Sequence, residues 1–353
     1  MINNNTAINK KGKEQTLGVI LFLITSCVWG FAFVPQKIAV DLNFGPISLN
    51  GLRCLLGSVV LIPVMLIADK VRHKKVTFLG VQSKTEIKSL LFGGLLCGIF
   101  LTLASTLQQV GLKYSTVGKA GFLSALYIVI VPVITVFFGK KISWNGWFGV
   151  ALGIFGMFFL CFNLKDLASF SINKGDLLLI LCSFAFSAHI LVIDKFAKNS
   201  DPLRLAFIQF LICGIICTSI GFIFERSTWN LIPQIAWCIV ILGVGSCGVG
   251  YTLQMVAQKY VPAYIAPLLM GMECVFSLIA ELIFFKKIMS AVEYLGCFLI
   301  LVAVAIAQLD FSKFGKKKKA AECAVDLQTD GEPNDINDAQ IKKNADNTDE
   351  NKV

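Results

Sequence analysis

The sequence predicts an all-α integral membrane protein, with ten transmembrane helices as two inverted five-helix repeats. Three observations carry this expectation. Of the 353 residues, 56% are hydrophobic and only 15% charged, whereas about a quarter of an ordinary soluble domain is charged. Ten mostly apolar runs follow one another with short connections, each near the roughly twenty residues that a spanning helix needs. Finally, residues 106–141 (TLQQVGLKYSTVGKAGFLSALYIVIVPVITVFFGKK) return without a gap at 252–287 as TLQMVAQKYVPAYIAPLLMGMECVFSLIAELIFFKK. Apolar segments resemble one another, but Thr-Leu-Gln, Lys-Tyr and a closing Lys-Lys in matched places fix the register. Each half holds five helices, an odd number, so the second half enters the membrane from the opposite face.

The same composition argues against other classes. Short connections leave no room for a soluble catalytic domain. The formal charge of +10 comes from lysines beside apolar runs and in the tails, where topology control and anionic lipid account for them, so no nucleic-acid partner is expected. Twelve cysteines sit mostly one at a time inside apolar runs, with no C-x-x-C spacing. There they behave as small apolar residues, and neither a disulfide framework nor a metal site is expected. No Gly-x-Ser-x-Gly, Walker loop or His-Glu-x-x-His occurs, and the histidines are His73 and His189 alone. Neither an enzyme nor a cofactor is expected.

Taken in order, residues 1–16 are polar and lysine-bearing and read as a cytoplasmic N-terminal segment; the apolar run behind them is too long for a cleaved signal sequence. The first repeat covers 17–162, with spans at 17–40, 48–68, 90–111, 118–138 and 144–162. Pro35 lies in the first span, where a missing N–H loosens a helix and opens its backbone toward a neighbour or a pathway. Trp144 and Trp147 open the fifth span as an interfacial belt. Residues 163–174 form a polar linker. The second repeat, 175–309, has spans at 175–196, 203–224, 233–257, 263–285 and 291–309. Its first span weakly echoes that of the first repeat, with Phe186 near the place of Trp29 and Asp194-Lys195 near that of Lys37. The tail, 310–353, is a lysine cluster followed by Asp, Asn, Lys and Glu, too poor in apolar residues to fold, and is expected to be disordered. Lysine and arginine bias puts both termini in the cytoplasm of a multi-pass cell-membrane protein.

At this point the residues resemble the drug/metabolite transporter superfamily, specifically its EamA-like branch. The likeness rests on Trp29-Gly30 followed by Phe33 and Lys37, on Leu52-Arg53, on Gly121-Phe122-Leu123 to Val131-Pro132, and on Glu273-Cys274-Val275-Phe276. It covers about residues 17–309. It implies ten helices around a central cavity that alternately faces each side, and export of amino acids or other small metabolites. The chain departs from the pattern at Gly139-Lys140 and Lys286-Lys287, where the family often has Gly-Glu, and at Phe186, where it often has tryptophan.

An ionisable group inside a membrane helix costs on the order of 2.5–3.5 kcal/mol on insertion scales, so depth ranks the candidate cavity residues. Glu273, with Ser277 four residues on, lies near the centre of the ninth span. Tyr127 holds the equivalent place in the first repeat. His189 is well inside the sixth span, as a proton-binding group or an interhelical bond. Trp29 and Phe33 form an aromatic face, and Gln108, Gln109 and Gln254 place amides on the third and eighth spans. Lys37 would attract an anionic group, while Arg53 is expected to snorkel to water.

These features point to a secondary transporter of small polar metabolites or amino acids in the lipid bilayer, with protons or an exchanged solute as coupling partner. The alternatives are a receptor or assembly subunit without net transport, and a small multidrug exporter.

Overall fold

Every regular element among the described residues of the computed structural model is helical; these residues are 2–72, 83–115, 117–161, 173–286 and 290–308. Nine helical stretches are long and apolar enough to cross a membrane, and a tenth, Ala291–Ala307, is slightly shorter. Lipid offers no partner for backbone N–H and C=O groups, which is why such runs fold as helices. Side chains such as Val59, Ile67, Phe148 and Phe155 point outward and are well exposed, as a lipid-facing surface requires.

The first three spans are single helices, α1 (Ile2–Asp41), α2 (Pro46–Val71) and α3 (Lys84–Tyr114). The expected N-terminal segment is thus helical from Ile2 and continuous with the first span. Pro35 sits inside α1 without breaking it. The fourth span is discontinuous, α4 (Val117–Ser124) then α5 (Tyr127–Phe137), and α6 (Trp144–Cys161) is the fifth. In the second half, α7 (Lys174–Phe196) and α8 (Pro202–Phe224) are unbroken. The eighth span is composite: α9 (Ile232–Val240), a π-helix (Ile241–Tyr251) and α10 (Thr252–Ala257). The ninth is broken again, α11 (Ala266–Met270) then α12 (Met272–Phe285), and α13 (Ala291–Gln308) closes the set. Most of the proposed linker and the whole of the proposed tail lie outside the described residues.

Helix pairing follows a two-fold pattern. The third span packs on the sixth and seventh, and the eighth packs on the first and second; the fourth packs on the sixth as the ninth packs on the first. Two pairs are their own counterparts, α2 with α8 and α6 with α13. Small residues let these helices approach in a solvent that does not drive them together.

The α2–α8 pair is clasped at both ends by equivalent residues. Counted from the prolines that open them, Pro46 and Pro202, Asp69 matches Glu225 and Ser48 matches Arg204. Gly45 gives α2 no side-chain cap, so its first amides need a partner from elsewhere. Glu225 accepts from Ser48 N at 2.7 Å and Ile47 N at 3.2 Å. At the other end Asp201 already caps α8, accepting from Leu203 N and Arg204 N. Asp69 therefore meets a side chain instead, the Arg204 guanidinium, at 2.6 Å.

Candidate functional site

The two helix breaks fall at equivalent places. Between α4 and α5 the backbone shifts to shorter turns, with Ile128 N donating to Ala125 O and Val129 N to Leu126 O. Between α11 and α12 Cys274 N donates to Gly271 O. Tyr127 and Glu273 come directly after these breaks, and the Tyr127 hydroxyl donates to Glu273 Oε1 at 3.3 Å. The repeats thus meet at a carboxyl–phenol contact. Broken helices at the midplane between repeats are where transporters place their sites.

A cavity opens around this contact. Three repeat-related pairs line it: Trp29 with Phe186, Gln108 with Gln254, and Tyr127 with Glu273. Phe33, Gln36, Arg53, His189, Ser246, Tyr251 and Met270 complete the wall.

The π-helix shapes one side. Wide turns at Gly243, Gly245, Gly248 and Gly250 bring Ser246 and Tyr251 to the cavity, a recurring use of π segments at functional sites. Trp29 Nε1 donates to Ser246 O at 3.2 Å, and Thr25 Oγ1 to Gly250 O at 3.3 Å. A Cβ at Gly250 would stand 2.4 Å from the Trp29 indole nitrogen, so only glycine fits. Gly30 serves α1 similarly: a Cβ there would lie 2.5 Å from Phe276 Cβ and 2.8 Å from the Glu273 carbonyl. Trp29-Gly30 therefore couples a cavity aromatic to the small residue that lets α1 approach the helix of Glu273. Tyr251 packs on Trp29 at a tilt of 58° with ring centroids 4.6 Å apart, and Tyr127 meets Phe186 edge-on at 6.2 Å.

Polar groups are treated unequally across the two-fold. Gln108 is half-buried on the cavity wall, whereas its twin Gln254 is buried, its amide against Met270 Sδ at 3.6 Å. His189 bonds Gln209 at 2.9 Å through Nε2. His189 Nδ1 and Gln254 Oε1 have no hydrogen-bond partner among the described residues. Among the described residues no cluster of His, Cys, Asp or Glu could hold a metal ion.

Of the residues expected at the site, the fold brings together Trp29, Phe33, Gln108, Tyr127, His189, Gln254 and Glu273. Three lie elsewhere. Lys37 is exposed at the end of α1, paired with Asp41 at 3.2 Å one turn on. Gln109 stands behind the wall and donates to the Gln36 side chain. Ser277 donates to Cys274 O on its own helix. Arg53, expected to reach water, is instead 3% exposed, because α3, α8 and the π segment enclose α2 at that turn. Gln36, Ser246, Tyr251 and Met270 were not foreseen.

The sequence model of the EamA-like transporter family matches residues 16–162 and again 173–308. The chain belongs to the EamA-like transporter family. It is similar to an uncharacterized transporter of Archaeoglobus fulgidus, 27% identical over 305 residues that cover 85% of this chain and 88% of that protein. A second, from Buchnera aphidicola, is 25% identical over 275 residues, covering 76% of this chain and 86% of the relative. A solved crystal structure superposes with a TM-score of 0.65 at 18% identity, over 82% of this chain and 96% of its own, which speaks for the fold. EamA-like membership makes this a multi-pass membrane transporter for a small-molecule substrate, and a transporter family is not an enzyme class.

Proposed function

We propose that the chain is a secondary carrier exporting small polar metabolites or amino acids across the cell membrane by alternating access. The observation that carries this is the unequal pair Gln108 and Gln254. Equivalent amides of two inverted repeats both border the cavity but in different environments, one half-buried and one buried against Met270. Exchange of those environments would turn the cavity from one face to the other without a new fold, which is how inverted-repeat carriers work. Trp29, Phe33, Tyr127, Phe186 and Tyr251 offer an apolar lining, and Gln108, His189 and Glu273 offer polar contacts, the mixture typical of small-molecule sites.

The test is flux. Proteoliposomes holding the purified chain, loaded with a mixture of amino acids and small metabolites, are expected to release a defined subset faster than protein-free vesicles. Release indistinguishable from empty vesicles, with the chain shown to be folded, would favour a receptor or assembly role. Release of structurally unrelated cationic drugs instead would favour a multidrug exporter.

In this reading both termini are cytoplasmic and the two Lys-Tyr pairs face opposite sides. On a background without native cysteines, cysteines placed at 113 and 259 are expected to label from outside and inside respectively with an impermeant thiol reagent. Equal labelling from one side rejects the assigned orientation.

A further inference from the structure

The two buried arginines are handled in opposite ways. Arg204 is neutralised by Asp69. Among the described residues Arg53 forms no ion pair, and its one hydrogen bond there is from Nε to Asn50 Oδ1 at 3.1 Å. Yet it is 3% exposed and borders the cavity. Removing an ion from water costs several kcal/mol unless a counter-charge or hydrogen bonds compensate, so a guanidinium left in this state calls for an anion from outside the protein.

Its placement is held from behind. Asn50 is fully buried, and its amide donates to Ser105 Oγ of α3 at 2.7 Å and to Cys217 Sγ of α8 at 3.3 Å. With the amide fixed by two helices, its oxygen is aimed at Arg53 Nε, and the two terminal nitrogens of the guanidinium have no acceptor among the described residues. Those are the donors that form a parallel pair of bonds to a carboxylate.

The repeat shows that the fold does not itself demand a cation here. Counted from Pro46 and Pro202, the place of Arg53 in α2 is that of Gln209 in α8. Gln209 is neutral, fully buried and bonded to His189. A glutamine is thus accommodated at the same point of the same helix pair, and the charge is specific to one half of the cavity.

We propose that Arg53 is an anion-recognition site that binds the carboxylate of the transported molecule, with Asn50 as its positioning residue. The substrate class is then small carboxylates, zwitterions included, whose body lies against Trp29 and Tyr251. This rests on the carrier reading above but is tested separately from it.

The full-length purified chain is exposed to a defined mixture: small carboxylic acids, amino acids, and the matched amides and amines that lack the carboxylate. Retention is read by equilibrium dialysis with mass spectrometry, and flux is read in proteoliposomes with the same mixture. Wild type is expected to retain carboxylates over their amides. Arg53→Gln is expected to cut that preference by at least about tenfold, the worth of one charge-assisted hydrogen bond, with retention of the amides falling much less than that of the carboxylates. Arg53→Lys, which keeps the charge but not the fork, is expected to recover part of the preference. Persisting amide retention and an unchanged gel-filtration profile show that Arg53→Gln is folded. The proposal is overturned if wild type does not prefer carboxylates, if Arg53→Gln keeps the same preference, or if it loses amides and carboxylates alike. Carboxylate retention that depends on Arg53 without any flux would support the anion site and overturn the carrier reading instead.

Discussion

Glu273→Gln is expected to lower flux at least about tenfold at matched membrane amount, the scale of one lost charge-assisted interaction. Glu273 is the carboxyl on the cavity wall, directly after the break in the ninth span, and it accepts a bond from Tyr127 of the other repeat. A glutamine keeps the shape and can still accept from the phenol. If the carboxyl only bridges the repeats, the variant transports normally. If it exchanges a proton during the cycle, the pH dependence of flux disappears and substrate retention persists, because an amide does not titrate in this range. If it holds a cationic substrate group, retention itself weakens. Tyr127→Phe separates the contact from the carboxyl: it removes the donor, keeps the ring packing on Phe186, and is expected to cost less than Glu273→Gln. Wild-type flux and pH dependence in the glutamine variant would sink both functional roles.

The pairing of the two halves is legible in the repeat register of the sequence. Aligning Thr-Leu-Gln at 106 and 252 placed Gln108 opposite Gln254 and Tyr127 opposite Glu273, and all four line the cavity. The breaks beside Tyr127 and Glu273 were not legible. The first needs no proline, and its neighbour Pro132 lies inside unbroken α5; the chain only exchanges longer bonds for shorter ones at Ala125 and Leu126. The π-helix left a trace in its four glycines, which lower the cost of irregular turns. Arg53 was misplaced because distance along a helix measures depth, whereas burial depends on which neighbours close around that turn. Asn50, three residues before it, was the available clue, since a buried amide at that spacing shares its face. Lys37 had a clue of its own in Asp41, four residues on.

Arg204→Met is expected to be the most destabilising single change at the α2–α8 clasp, and Asp69→Leu a milder one. Asp69 and Arg204 are both almost fully enclosed, at 2% and 4% side-chain exposure, and removing one partner of such a pair typically costs about 3–5 kcal/mol because the other charge stays buried. The two removals are not equivalent here. Without Arg204, Asp69 has no other ion-pair partner among the described residues. Without Asp69, Arg204 still has Asp201 at 3.4 Å, although Asp201 is shared with Arg72 at 3.1 Å. The double variant Asp69→Leu with Arg204→Met leaves no charge stranded and is expected to recover much of the loss, since apolar replacements of buried pairs are often neutral or better. At the opposite end, Glu225→Gln leaves one acceptor oxygen where the Ile47 and Ser48 amides use two, so it is expected to lose one hydrogen bond besides the favourable charge at a helix N-terminus, about 1–2 kcal/mol together. Thermal inactivation half-lives in one detergent, compared at a common temperature, rank all four. If Asp69→Leu inactivates as fast as Arg204→Met, Asp201 does not shelter the guanidinium. If the double variant is no better than Arg204→Met alone, the loss comes from packing at the helix ends rather than from a stranded carboxylate.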